Sequence, residues 1–260
     1  AFNQLTYLDV ANGNNTNMSN FYANNNPNLF CVDVDDVAWS TNNWTNIGAQ
    51  TYFSTNCQAP PKTYVPDDNF ENYLEANGMG DGIALNDSVY TSAIDTVTSL
   101  DLTNNFSGLN IVDLTGISDF TVLDTLECYV NQLTILDVSN NTALTYLNCS
   151  NNQLTSLDLS ANTALSYLYC SGNLLSNLDV SANTALTYMN CDGNLLSNLD
   201  ISSNTALILL WCSANQFTSL DINTNTALAT LGCGSNNLTN LDISTNTILT
   251  NLSCSNNQLT

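Results

Sequence analysis

From residue 123 onward, apolar side chains return in one fixed pattern. In residues 144–164 (LTYLNCSNNQLTSLDLSANTA) they occupy Leu144, Leu147, Cys149, Leu154, Leu157 and Leu159, and the pattern repeats every 21 residues to the end of the chain. Self-similarity at a fixed period of this size is the signature of a solenoid, in which each repeat buries its apolar face by stacking on its neighbours. Each turn divides into two half-phrases, Leu-x-x-Leu-x-Cys-x-x-Asn and Leu-x-x-Leu-x-Leu-x-x-Asn, of ten and eleven residues. A half-phrase that short cannot hold both a strand and a full α-helix. The pattern therefore predicts a flattened coil with a parallel strand at 146–150, a shorter second extended stretch at 156–159, and tight turns between them. Side chains alternate along a strand, which sends Leu147 and Cys149 inward and Tyr146, Asn148 and Ser150 outward.

Three polar or soft columns share the period. Cysteine stands at Cys128, Cys149, Cys170, Cys191, Cys212, Cys233 and Cys254; asparagine follows three residues later at Asn131, Asn152, Asn173, Asn194, Asn215, Asn236 and Asn257. A second asparagine column runs Asn141, Asn162, Asn183, Asn204, Asn225 and Asn246. Inward asparagines are expected to be structural, bonding the main chain of their own turn and the amide of the next. Zinc needs four thiolates converging on one point, whereas a ladder spreads them along a line. Rungs about 4.8 Å apart fit poorly to the Cβ separation of about 3.5–4.5 Å in a disulfide, and an odd number cannot all pair. The seven are therefore expected to be small buried hydrophobes with unreactive thiols.

The half-phrases resemble the leucine-rich repeat (LRR) consensus LxxLxLxxNxL, with Cys149 at its third apolar position and Asn152 at its asparagine, over about three quarters of the chain. The expected fold is thus an LRR solenoid, mainly parallel β with short second strands.

Outside the perfect repeats the chain changes character. Residues 1–30 are repeat-like (Leu5, Leu8, Val10, Met18, Phe21, Leu29). Cys31 and Cys57 then bracket a segment that leaves the rhythm and carries Trp39, Trp44, Tyr52 and Phe53; we expect one disulfide closing a cap at 31–57, worth roughly 3 kcal/mol by loop closure. Residues 58–62 (QAPPK) read as a linker, their prolines blocking helix and central strand. Residues 66–77 read as a short amphipathic capping helix, with Pro66 at its start, acids in the first turn, Phe70, Tyr73 and Leu74 on one face, and Gly78 ending it. The expected organisation is 1–57, the C-terminal end and cap of one LRR module; 58–62, the linker; and 63–260, the N-terminal cap and array of the next. A chain that opens and closes inside repeats is expected to be an excerpt of a longer polypeptide.

Charge narrows the partners. One basic residue, Lys62, faces 23 acidic ones, for a net charge of −22. Nucleic acid and anionic lipid surfaces would be repelled, and no apolar run is long enough to insert in a membrane as a helix. Such self-repulsion is tolerable where salt screens it, as outside the cell.

The phrases YVPDDNFENYLEANGMGDGI (64–83), DLTGISDFTVLDTLECYVNQLTILDVSNNTAL (113–144) and NPNLFCVDVDDVAWSTNNWTNIGAQTYFSTNC (26–57) are similar to the large LRR surface proteins of Bacteroidota, which leave the cell by the type IX pathway. That resemblance implies extracellular display at the cell surface, in adhesion or in a structural role.

Two features are candidates for chemistry. Asp137, Asp158, Asp179, Asp200, Asp221 and Asp242 are expected to form an outward carboxylate stripe, either bound to Ca²⁺ or simply accepting hydrogen bonds from nearby serine and threonine; Asp33, Asp35 and Asp36 are a second calcium candidate. The aromatic residues Tyr129, Tyr146, Tyr167, Tyr169, Tyr188 and Trp211 fall at outward strand positions and are expected to line up as a strip, either packing as an ordinary β surface or stacking on a glycan or a protein. Catalysis is not expected: the chain has no histidine or arginine, and its carboxylates recur as repeat elements. The expected role is a non-enzymatic extracellular element of a filament, appendage or rigid stalk, with neighbouring modules of the same chain, or further copies in a fibre, as partners. The alternative is an adhesin that binds glycans or surface proteins through the aromatic strip. A more remote one is an accessory domain of a polysaccharide-degrading enzyme.

Overall fold

The structure is a computed structural model that describes residues 5–57, 60–103 and 108–260. Contacts divide the chain into two compact units, Ala1–Pro61 and Lys62–Thr260. Of the expected linker, Gln58 and Ala59 lie outside the described residues, and Lys62 is the first residue of a strand in the second unit.

The first unit contains β1 (Tyr7–Asp9), β2 (Cys31–Asp33), α1 (Val37–Asn43) and β3 (Tyr52–Ser54), the three strands forming a parallel sheet in chain order. Leu8, Val32 and Phe53 pair across it and point into a core with Phe21, Leu29, Val34 and Trp44. Trp44 stacks on Phe21 with ring centroids 4.4 Å apart. Cys31 and Cys57 are disulfide-bonded with Cα atoms 5.8 Å apart, tying β2 to the chain just beyond β3. Helix α1 does not follow from the apolar pattern. Its start signal is Asp36, whose carboxylate accepts the Trp39 amide at 2.9 Å as an N-cap.

The second unit opens with β4 (Lys62–Tyr64), α2 (Asp68–Ala76), β5 (Ser88–Tyr90) and α3 (Thr91–Ile94), where β4 and β5 pair antiparallel. Helix α2 is shorter than the expected 66–77: Pro66 lies outside it, and Asp67 is the N-cap, accepting the amides of Asn69 and Phe70 at 2.9 Å each. The other Asp67 oxygen accepts the amides of Val112 and Asp113 at 2.7 and 3.1 Å, fastening the helix to the first turn of the array. Glu71, fully buried, accepts the amides of Asn86 and Asp87, and Glu75 those of Asp81 and Gly82. These acids are loop clamps more than dipole partners.

The array follows as β6 (Ser99–Asp101), β7 (Thr125–Glu127), β8 (Tyr146–Asn148), β9 (Tyr167–Tyr169), β10 (Tyr188–Asn190), β11 (Leu209–Trp211), β12 (Thr230–Gly232) and β13 (Asn251–Ser253), one parallel sheet in strict chain order. From β7 on, each residue pairs with the one 21 positions later, as in Leu126↔Leu147↔Leu168. The six apolar positions of the turn, Leu144, Leu147, Cys149, Leu154, Leu157 and Leu159, are all buried. Their burial depends on the turns above and below, at roughly 1.5–3 kcal/mol for each large side chain. Among the positions expected to face solvent, Ser150 is buried instead.

No second strand forms at 156–159. The backbone there folds into two successive tight turns, Asn162 N donating to Leu159 O at 3.0 Å and Leu165 N to Asn162 O at 3.1 Å. These bonds take up groups a ladder would need. Asparagine side chains join the turns in its place: Asn162 Nδ2 donates to Val138 O and Asn141 O of the preceding turn at 3.0 and 2.9 Å. The same geometry recurs at Asn183, Asn204, Asn225 and Asn246. The other column works at the strand exit. Asn194 Nδ2 donates to Cys191 O of its own turn and Cys170 O of the turn before, while Oδ1 accepts Leu175 N at 3.0 Å. The link therefore runs to the preceding turn, opposite to the direction expected from sequence.

One residue before each strand-exit asparagine, the chain turns through the left-handed region. Asn151, Ala214, Ser235 and Asn256 have φ of 53–54°, and Gly172 and Gly193 have 62° and 63°. Val130 fills this corner in its turn with φ 56°. A β-branched residue there stores about 1–3 kcal/mol of strain. Val130→Asn, which installs the residue used at 151 and 256, should raise stability by about 1 kcal/mol and move the urea midpoint upward. An unchanged or lowered midpoint would show the corner to be unstrained.

Candidate binding face

The outward face of the array sheet presents three parallel files. The first holds Thr125, Tyr146, Tyr167, Tyr188 and Leu209; the second Glu127, Asn148, Tyr169, Asn190, Trp211 and Gly232. The third, two residues beyond, begins with Tyr129 and continues Ser150, Ser171 and Asp192. Of the six aromatic residues singled out from sequence, Tyr146, Tyr167 and Tyr188 share one file and Tyr169 and Trp211 the next, while Tyr129 lies in the third, beyond the end of its strand; ring contacts join Tyr146, Tyr167, Tyr169 and Tyr188. Their phase within the period of 21 residues already contained this assignment.

The patch is well packed. Tyr167 and Tyr188 stack with centroids 4.9 Å apart and an interplanar angle of 11°, and Tyr146 lies 5.9 Å from Tyr167 and 5.6 Å from Tyr169. Trp211 leans over Gly232: a Cβ at 232 would fall 2.2 Å from the indole Cε3. The glycine thus makes room for the ring, a role invisible in the sequence. Burial pushes the Tyr146 phenol up, helped by the adjacent Glu127 carboxylate, to which its hydroxyl donates. Glu127 also accepts Asn148 Nδ2 at 3.1 Å. Asp192, half-buried, is raised by desolvation while accepting the Ser213 amide at 2.5 Å. Sequence reasoning passed over Glu127, Asp192 and Gly232. A signal was there for Asp192, which interrupts a column of serines at 150, 171, 213 and 255; the column of Glu127 and Gly232 is too varied to single either out.

The aspartate stripe lies on another flank. Asp137, Asp158, Asp179, Asp200 and Asp242 each accept the amide of the serine two residues on, at 2.8–3.0 Å, and Asp221 does the same with Asn223. Hydrogen bonds from those serines hold the first five carboxyls below their ordinary range. Shallow grooves separate the turns here, about 360 Å³ between Asp158 and Asp179 and about 400 Å³ between Asp200 and Asp221. In the first unit, Asp33, Asp35 and Asp36 take separate donors: the Tyr7 hydroxyl at 3.1 Å, the Gly13 and Asn15 amides at 3.0 and 3.2 Å, and the Trp39 amide. Among the described residues, the carboxylates that converge are Asp68, Glu71 and Asp87, within 4.8 Å of one another, and Glu71 is already bonded to two amides.

The seven ladder cysteines are free thiols, buried except for half-buried Cys254. Burial pushes the Cys149 thiol up to about 12 and the Cys233 thiol up to about 11.

The coil of stacked turns with inward leucine, cysteine and asparagine defines a leucine-rich-repeat protein, and residues 142–183 match the family of leucine-rich repeats in two copies. Among solved structures, the functional domain of InlJ from Listeria monocytogenes, described as including a cysteine ladder, is 38% identical, with a TM-score of 0.62, covering 78% of this chain and 50% of its own. An internalin C2 from the same species has a TM-score of 0.67 at 20% identity, covering 78% of this chain and 92% of its own, a likeness of fold alone. An LRR protein of Leptospira interrogans is 26% identical with a TM-score of 0.53, covering 55% of this chain and 40% of its own. The chain thus spans about half the length of the InlJ domain it resembles. No curated protein matches it significantly.

Proposed function

We propose that this chain is a non-enzymatic, extracellular structural element of a large modular bacterial surface protein, in which LRR arrays serve as stiff spacers of a filament, appendage or adhesive stalk. The observation that carries the reading is how the polar groups are used. Buried asparagines join turn to turn, the acids of the head clamp loops, and the stripe aspartates cap their own turns. Every one of these groups maintains shape. Two repeat units following one another in a single chain favour a modular parent, and a net charge of −22 suits a salt-screened exterior. The similarity of residues 26–57, 64–83 and 113–144 to Bacteroidota surface proteins supports export by the type IX route. Immunogold labelling of intact producing cells with antibody to the array should decorate extended surface appendages. Label seen only after permeabilisation, or confined to compact particles, would overturn the proposal.

A second reading rests on the aromatic patch. Tyrosine and tryptophan, here half-buried apart from the exposed Tyr167, are among the residue types that dominate binding hot spots, and LRR sheets commonly mediate protein interactions. On this reading the array is an adhesin whose strand face carries the contact.

A further inference from the structure

The strand face has an electrostatic character that selects among partners. Lys62 is the sole basic side chain, and it is taken up by Asp81 at 2.5 Å in the head. The array's carboxylates therefore have no basic side chain of their own to pair with. On the flank this matters little, because the stripe aspartates are exposed and solvated. On the strand face, Glu127 and Asp192 are only partly exposed and stand three turns apart, in the second and third files beside the tyrosine file, their hydrogen bonds coming from neutral donors: the Tyr146 hydroxyl and the Asn148 amide for one, the Ser213 backbone amide and hydroxyl for the other. A half-buried carboxylate without a counter-charge gains most from an incoming cation.

The ring geometry argues in the same direction. A sugar stacks on an open aromatic face, yet Tyr167 has Tyr188 on one side at 4.9 Å and Tyr146 on the other at 5.9 Å. What the file offers outward is ring edges and hydroxyls, suited to peptide groups and aliphatic stems more than to sugar faces.

We infer that the strand face binds an extended, cationic protein segment, with one arginine or lysine set against Glu127, another against Asp192, and the stretch between them crossing from the second file to the third past Tyr169, beside the tyrosine file. This deepens the second reading above and rests on it. Spacing sets the register of the partner. Glu127 and Asp192 lie three turns and two strand positions apart, roughly 15 Å at about 4.8 Å per turn and 3.3 Å per residue. An extended chain covers that distance in about four to five residues, so basic residues at i and i+4 match.

The test uses the full chain and a fluorescein-labelled peptide, Gly-Arg-Gly-Ser-Gly-Arg-Gly, read by polarisation at low and at physiological salt. Two double variants remove equal charge: Glu127→Gln with Asp192→Asn on the face, and Asp158→Asn with Asp179→Asn on the flank. The face pair should weaken binding about tenfold and the flank pair less than about twofold, with a peptide carrying adjacent arginines binding less well. Equal losses in the two pairs, or no binding by the wild-type chain, would overturn the inference. A neutral oligosaccharide array is run in parallel with Trp211→Ala. Glycan binding lost in that variant would keep the face as a binding surface while sinking the cationic partner, and silence in both assays would sink the binding reading as well.

Discussion

Above about pH 9 the array should lose its stability steeply. Cys128, Cys149, Cys170, Cys191 and Cys212 are fully buried, and desolvation raises the pKa of each above the ordinary thiol value of 9.0. A group whose folded pKa exceeds its unfolded one contributes stability that is complete below the unfolded value and is lost as pH climbs towards the folded one. Here the window opens near the unfolded thiol value and extends to about 12, the value reached by Cys149. Within it the unfolded chain releases protons that the five buried thiols of the folded chain hold, so stability should fall by up to about 7 kcal/mol per pH unit once the unfolded thiols are ionised. That slope exceeds what a typical domain can absorb over two pH units, given about 5–15 kcal/mol in total. Urea midpoints measured in reductant from pH 7 to 10 should trace the loss. Cys170→Ala, whatever its packing cost, should flatten the slope by about 1.4 kcal/mol per pH unit. A midpoint indifferent to pH would mean that the ladder is hydrated.

The 21-residue period makes most of this architecture legible in the sequence. Inward leucines, the cysteine ladder and both asparagine columns are each a statement about burial repeated turn after turn, so tertiary context cannot change one copy without changing all. The Cys31–Cys57 bond is legible for the opposite reason, as the one pair outside the period. What the pattern does not reveal is what the repeat does not constrain. Helix α1 depends on a single capping aspartate, Asp36, in a segment otherwise marked by its aromatic residues. The extended stretch at 156–159 has strand-like alternation, yet its neighbours Asn162 and Leu165 commit the local backbone bonds to tight turns. On the candidate face, the aromatic positions are legible individually, while the closing of the tyrosine file on itself and the berth that Gly232 gives Trp211 arise from rotamers, which a one-dimensional pattern does not carry.

Asn183→Asp, a change of one atom, should cost at least about 4 kcal/mol at neutral pH. Asn183 is fully buried, and its Nδ2 donates to Leu159 O at 3.0 Å and Asn162 O at 2.9 Å. Its Oδ1 is buried and takes no hydrogen bond among the described residues. A carboxylate there would turn a donor into a negative oxygen facing two carbonyl oxygens, with no basic side chain in the array to offset it. The introduced acid should therefore stay protonated when folded, its pKa raised above the unfolded value. By the same linkage sign, the penalty should be smallest below about pH 4 and grow as pH rises beyond it. Asn183→Ala, which leaves the two carbonyls without their donor but buries no charge, should cost about 1–3 kcal/mol with no such pH dependence. Asn177→Asp, at an exposed position of the same turn, should change stability by less than about 0.5 kcal/mol. Urea titrations of the three variants at pH 4 and pH 8 distinguish these cases, because each turn is held only by its neighbours and a weakened joint lowers the midpoint of the whole array. If Asn183→Asp melts like Asn183→Ala at pH 8, the second asparagine column is reached by water, and the turn-to-turn bonds seen along it contribute less to the stiffness of the stack than their geometry implies.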